Sequence, residues 1–92
     1  MDKQETRSLL DGVISRLRTM TYADLRKYFD EEQNEVIGPS GTEYQIETLA
    51  VWDRAPEGDL RIFVSIDDGG IRAIVPLTDG FIMRPDGSFV GE

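Results

Sequence analysis

The strictest constraint in this sequence is a period-two run near its middle. The even-numbered residues from Leu60 to Ile66 are all aliphatic, and such alternation is typical of a β-strand with one buried face. Asp67-Asp68-Gly69-Gly70 follows at once, and its glycines suit the positive φ angles of a tight turn. The pattern predicts a hairpin that continues to Leu77, and its apolar face requires cover from further elements.

Helical periodicity is confined to the first third of the chain. Apolar residues recur at helical spacing and predict an amphipathic helix over about residues 3–19. Gly12 interrupts this helix and either permits close packing or weakens it. Thr21 is a suitable N-cap for a second helix. We expect that helix to fray by Asn34, because the acids at 30–32 oppose the helix dipole in its last turn.

Strand periodicity begins after the turn cluster Gly38-Pro39-Ser40-Gly41. A strand is expected over residues 44–52. Its apolar side changes parity near Leu49, which indicates a bulge or a strand buried on both faces. Turns are predicted at Thr78-Asp79-Gly80 and at Pro85-Asp86-Gly87-Ser88.

These elements predict an α+β fold, with two N-terminal helices packed on one face of a four- to five-stranded antiparallel meander sheet. We expect a single domain over residues 1–92, with a helical part at 1–35 and an antiparallel sheet part at 42–92. The 92 residues are enough for one core. Apolar runs are too short to span a bilayer, and no signal peptide is expected.

The composition excludes several kinds of catalytic and metal site. The chain has no Cys and no His, and 18 acids against 10 bases give a net charge of −8. Disulfides, thiol chemistry, histidine-based triads and nearly all zinc or haem sites are thereby excluded. The acidity argues against nucleic acid and anionic membranes as partners. We therefore expect no enzyme activity, catalytic residue, cofactor or metal.

The charge is unevenly distributed along the chain. Residues 1–35 carry a net charge of −2, whereas residues 36–92 carry −6. One interpretation is solubility alone. The other is a surface directed at a basic partner.

Two groups of residues resemble sites of chemistry. Asp67 and Asp68 form a carboxylate pair of the kind that serves acid–base catalysis or cation binding, but their position beside two glycines is ordinary turn chemistry. Ser40 lies in a glycine-flanked loop, yet the chain has no His to act as its base.

An aromatic–arginine patch is the best candidate for partner binding. If helices cover the face that carries Leu60 and Ile62, Phe63 points to the opposite, open face. The predicted contacts on this face and its turns are Trp52, Arg61, Phe63, Arg72, Asp67 and Asp68. The alternative is that Trp52 and Phe63 cap the sheet edge, or are covered by Phe81 and Phe89.

Several short motifs lie in the last 55 residues or so. They are Gly38-Pro39-Ser40-Gly41, Val64-Ser65-Ile66-Asp67-Asp68-Gly69-Gly70, Val75-Pro76-Leu77 and Pro85-Asp86-Gly87-Ser88-Phe89-Val90-Gly91-Glu92. With them the chain resembles a family of small uncharacterised bacterial domains, a domain of unknown function. The resemblance implies a bacterial origin, a cytoplasmic location and a natural end at Glu92. It implies no activity and no functional residue.

The sequence therefore favours a non-enzymatic protein-interaction or accessory domain of a bacterial cytoplasm. Its partner is expected to be another protein or a second copy of the chain in a homodimer. The alternative is an acidic inhibitor of a basic target: an immunity protein, an antitoxin-like protein or a nucleic-acid mimic. The arrangement of the acids in space distinguishes the two, because a mimic requires one contiguous acidic face.

Overall fold

The helices come first in this chain, and the strands of a β-meander follow them. The computed structural model describes residues 3–68 and 77–91. Helix α1 spans Lys3–Leu17, and helix α2 spans Tyr22–Leu25 and continues as a 3₁₀ turn over Arg26–Phe29. The strands are β1 (Glu32–Ile37), β2 (Glu43–Trp52), β3 (Leu60–Asp67) and β4 (Leu77–Met83).

Each strand pairs antiparallel with the next, in the order β1-β2-β3-β4. The α+β class and a four-stranded antiparallel meander are therefore confirmed, and the described residues contain no fifth strand. No helix in 3–68 or 77–91 has the length and apolarity needed to cross a membrane.

The core combines helical side chains with one set of alternate residues of the central strands. Alternate residues of β2 and β3 are buried, from Tyr44 to Ala50 and from Leu60 to Ile66. They form one cluster with helical side chains and two residues of β4, namely Leu10, Leu17, Leu25, Tyr28, Phe81 and Met83. The strand periodicity predicted for residues 60–66 is confirmed, and the odd-numbered residues of β2 and β3 face away from this core.

A polar network holds the first turn of α1 against the loop before β2. Ser40 donates to the carboxylate of Glu5 from its backbone N (2.8 Å) and from its Oγ (2.6 Å), and the Tyr44 hydroxyl donates to the same carboxylate at 2.7 Å. The hydrogen bonds from Ser40, followed by that from Tyr44, hold the pKa of Glu5 below its ordinary value. The hydroxyl of Ser40 is thus engaged in tertiary structure.

The predicted boundary between the helical and sheet parts is wrong. Residues 32–35 were expected in the helical part, but they belong to β1, and the 3₁₀ turn ends at Phe29 with Asp30 in an extended conformation. β1 is an edge strand in which most side chains are exposed. It therefore lacks the alternation that marks a half-buried strand, and pairing with β2 decides its conformation.

The predicted turn at residues 78–80 is also wrong, because these residues lie within β4. Thr78, Asp79 and Gly80 pair with β3, and Asp79 forms an ion pair with Arg7 of α1. The expected turn at 85–88 is present, with the backbone N of Gly87 donating to the carbonyl of Arg84 at 2.8 Å. The predicted hairpin turn after Asp68 lies mostly outside the described residues.

Two alternatives left open by the sequence are decided by the structure. β2 and β3 pair in continuous register from Gln45 to Trp52, so the parity change near Leu49 reflects apolar residues on both faces and not a bulge. A Cβ atom at Gly12 would meet nothing within 4 Å. Gly12 therefore does not serve close packing.

Candidate partner-binding face

The sheet has one face turned away from the helices, which we call the open face. It is formed by the odd-numbered residues of β1, β2 and β3, and by the even-numbered residues of β4 that pair with them. Along the strands the face divides into two halves of different chemistry. The apolar half consists of Leu49, Val51, Arg61, Phe63, Gly80 and Ile82. The acidic half consists of Gln33, Glu35, Glu43, Gln45, Glu47, Ser65, Asp67 and Thr78; the exposed Ile37 lies at its margin, and Glu31 directly precedes β1 beside it.

Phe63 lies at the centre of the apolar half. Its strand neighbours are Leu49 on β2 and Gly80 on β4. A groove of about 400 Å³ lies beside the ring and is lined also by Gly80, Thr78, Ile82 and Val90. The phenyl ring is therefore accessible from its β4 side while its strand neighbour Leu49 flanks the other.

Arg61 is held in place on this half by an ion pair. Its Nε and a terminal nitrogen bind one carboxylate oxygen of Asp53 at 2.8 and 2.6 Å. Its guanidinium lies 5.8 Å from the centre of the Phe63 ring. An ion-paired arginine beside a half-buried aromatic ring has the side-chain types of a protein-binding hot spot.

Carboxylates from three strands converge in the acidic half. Glu47 lies between Gln33 and Ser65 in the register of the sheet. The neighbouring carboxyl group of Glu31, followed by partial burial and the charge of Asp67, raises the pKa of Glu47 above its ordinary value. Nearby negative charges have this effect because they disfavour the ionised form of Glu47.

A second acidic pair lies on the same half, at the edge of the sheet. The carboxyl group of Glu43 raises the pKa of Glu35. Between β1 and β3 the surface is concave, with a groove of about 440 Å³ whose lining includes Glu35, Glu47 and Asp67. No Lys or Arg belongs to this lining in the described part of the chain.

Three of the six predicted partner contacts lie on the open face. Arg61 and Phe63 belong to its apolar half, and Asp67 closes β3 in its acidic half. Asp68 follows directly after the strand and is half-buried. Arg72 lies outside the described residues.

The placement predicted for Trp52 is wrong, because this residue lies on the helix-covered face. Its ring centre is 4.8 Å from that of Phe29 and 6.5 Å from that of Tyr22, and Arg26 lies over it at 5.0 Å. The parity of β2 explains the error: Trp52 is in phase with the buried Ala50, and the helices that cover it come from a distant part of the sequence.

The covering of Phe63 by the C-terminal aromatic residues does not occur either. Phe81 and Phe89 pack edge to face, with ring centres 5.6 Å apart. They lie under Arg18 of the segment after α1, so they belong to the helix side of the sheet. Phe63 stays on the open face.

Sequence reasoning missed the residues that complete both halves. Leu49 and Val51 were signalled by the parity change in β2, which marks apolar residues on both sides of a strand. For Glu31 and Glu35 the sequence carries no comparable signal, because the segment that contains them was expected in the helical part of the chain.

A metal site is not formed by the described residues: none of their His, Cys, Asp and Glu side chains come together in groups of three or more suited to an ion. Comparison of the chain with protein-family models, curated proteins and solved structures finds no match. The resemblance to small uncharacterised bacterial domains therefore stays a prediction.

Proposed function

We propose that this chain is a non-enzymatic protein-interaction domain of a bacterial cytoplasm that binds another protein through the open face. The observation that carries the proposal is the apolar half of that face. Leu49, Val51, Phe63 and Ile82 adjoin one another there, and they are not part of the core on the helix side.

An antiparallel sheet commonly has one face against a core and one face in water, and the solvated face is then polar. Here the outer face is polar at one end only. A contiguous apolar patch on a protein surface is typical of an interaction site. Arg61 and Phe63 supply the side-chain types that dominate binding energy at such sites.

The charge of the chain favours a partner other than a second copy. Two open faces related by an axis along the strands would bring acidic half against acidic half. An axis across the strands through the middle of the face would bury carboxylates against Phe63 and Leu49, which is costly for unpaired charges. An axis across the strands through the apolar half would leave only that half in contact. Each copy also carries a net charge of −8. A homodimer is therefore the outcome that would contradict the proposal.

The test is capture of partners from a bacterial lysate on the immobilised protein, compared with Phe63→Ala. Because Phe63 is outside the core cluster, we expect this variant to keep its stability within about 1 kcal/mol and to lose the proteins retained by the wild type. Asp11→Asn on the exposed surface of α1 is the control and should retain them. Equal retention by Phe63→Ala, or a concentration-dependent dimer in sedimentation, would overturn the proposal.

A second candidate function is the acidic inhibitor of a basic target, including an immunity-like or nucleic-acid-mimicking protein. The observation that favours it is the convergence of Glu47 of β2, Asp67 of β3 and Glu31, which directly precedes β1. The row of acids is interrupted across the sheet as well as along β2, because Glu47 lies between Gln33 and Ser65, and Gln45 lies between Glu35 and Asp67. Binding that is abolished by high salt and is unchanged in Phe63→Ala would favour this candidate, because exposed charges are screened within about 8–10 Å.

A further inference from the structure

The two halves of the open face lie at a defined separation. On β2 and β3 the apolar residues occupy one end of the open face and the acids occupy the other. The boundary on β2 lies between Leu49 and Glu47, which are two residues apart and share this face. Side chains two apart on a strand are about 6.6–6.8 Å apart. Phe63 therefore lies roughly 7 Å from the level of Ser65 and about 13 Å from that of Asp67.

We propose that the partner presents a bipartite segment, with an apolar side chain on Phe63 and Leu49 and a Lys or Arg side chain in the acidic groove. This inference rests on the proposed function and adds the chemistry of the partner. The two anchors of the segment are separated by about 7–13 Å. That distance corresponds to two to four residues in an extended segment and about five to nine in a helix.

The charges of the acidic half support a cation at this place. Glu43 opposes the ionisation of Glu35, and Glu31 and Asp67 oppose that of Glu47. A positive charge in the groove that Glu35 and Glu47 line therefore offsets these repulsions as well as adding an attraction. The groove lies between β1 and β3 and is lined by carboxylate and amide oxygens, including those of Gln33 and Gln45. An ammonium or guanidinium group finds several acceptors there.

The apolar half explains why a cation alone is not the expected ligand. Exposed ion pairs contribute little to binding on their own. Burial of an apolar anchor against Phe63 and Leu49 adds a contribution that salt does not screen. A segment with both anchors therefore binds more tightly than one with either alone, and the cation sets its direction on the face.

The experiment is a selection of 12-residue peptides from a random library on the immobilised full chain, with Phe63→Ala as the counter-selection. Peptides enriched in an apolar residue and a Lys or Arg at the stated spacing support the inference. Enriched peptides that are apolar without a basic residue overturn the inference and leave the proposed function standing. A selection in which no peptide prefers the wild type to Phe63→Ala overturns both.

Affinities of one selected peptide for charge variants then test the position of the cation. Replacing Glu35 and Glu47 by Gln should weaken binding about threefold to tenfold, whereas the control pair Asp11→Asn with Glu57→Gln should leave it unchanged. Gln45→Lys is a second variant that places a positive charge within the groove. It should weaken binding while raising the melting temperature, and this opposite sign excludes a loss of folding. Unchanged affinity in both groove variants would overturn the inference.

Discussion

Gly80 supports the sharpest prediction about the fold. It lies in β4 opposite Phe63, and a Cβ atom at this position would stand 2.0 Å from the carbonyl oxygen of Ile62 and 3.2 Å from its carbonyl carbon. Both atoms belong to the backbone of the neighbouring strand, so no side-chain rotation relieves the clash. Gly80→Ala must therefore separate β3 from β4 locally.

The magnitude follows from two contributions. Overpacking of a well-packed site costs typically 1–3 kcal/mol, and each ladder hydrogen bond that the separation weakens contributes about 0.5–1.5 kcal/mol. We expect a loss of about 3 kcal/mol in the free energy of unfolding, with a total stability of roughly 5–14 kcal/mol for a chain of this length. For a domain of this size, that loss corresponds to a fall in melting temperature of about 12–24 °C.

Two other glycines provide matched controls for the same substitution. Gly12 lies in the exposed part of α1 with open space around it, so Gly12→Ala should stabilise the protein by about 0.5–1 kcal/mol. Gly87 also has open space but a φ of +89°. Gly87→Ala should therefore be destabilising through backbone strain alone, by about 1–2 kcal/mol. The three variants separate a steric clash, helix propensity and backbone strain.

The assay is urea unfolding followed by the fluorescence of Trp52, the single tryptophan, which packs against Phe29, together with far-UV circular dichroism. The expected order of stability is Gly12→Ala, wild type, Gly87→Ala and Gly80→Ala. A stability of Gly80→Ala within about 0.5 kcal/mol of the wild type, the range of neutral surface substitutions, would refute the close approach of β4 to Ile62.

Three further predictions concern the ionisable groups. Tyr44→Phe should lower the melting temperature by about 4 °C or more, since the hydroxyl of this buried residue donates to Glu5. Hydrogen bonds from Ser40 and Tyr44 lower the pKa of Glu5 in the folded protein. The charge of Glu5 therefore stabilises the fold above its unfolded pKa of about 4.5, and this contribution is lost as the pH falls through the lower folded pKa. Glu5→Gln should therefore be destabilised at pH 7 and approach the wild type in acid; a constant difference in melting temperature from pH 7 to pH 3 would contradict this. Neighbouring carboxyl groups raise the pKa values of Glu35 and Glu47, so the charges of these two residues destabilise the fold at neutral pH. That penalty disappears as the pH falls through their folded pKa and below the unfolded one. Replacing both by Gln should raise the melting temperature at pH 7 and leave it unchanged in acid, and a lower value at pH 7 would show that these side chains stabilise the sheet.

Elements with strong periodicity were predicted well. The helix expected at residues 3–19 is observed as Lys3–Leu17, and the strands expected at 44–52 and 60–66 are both observed. For the strand at 60–66 the buried face is also the one predicted. In each, the buried side recurs at the period of the backbone, so a local pattern carries the information.

Elements whose conformation depends on a neighbour were missed. β1 is an acidic edge strand without alternation, and β4 contains Asp79 and Gly80, which are turn residues by propensity. Pairing with β3 and the ion pair between Arg7 and Asp79 override that propensity. The helix predicted from Thr21 is shorter than expected because the chain leaves it at Asp30 to pair with β2.

The candidate site shows the same division. Alternation along β3 was enough to predict that Phe63 and Arg61 share a face opposite the core, because adjacent residues of a strand point to opposite sides. Trp52 was misplaced, since its cover comes from helical residues some twenty positions or more before it.

The sequence alone determined the amphipathic helix and the central hairpin strand, because both depend on local spacing. It also excluded the chemistry that Cys and His would supply, because composition decides this. Only the tertiary structure decided which strands are neighbours, and therefore which charges meet. Glu31 and Asp67 are 36 positions apart in the chain, yet both act on Glu47. That proximity follows from the register of three paired strands, and register is set by the burial of a whole sheet face and not by any one segment.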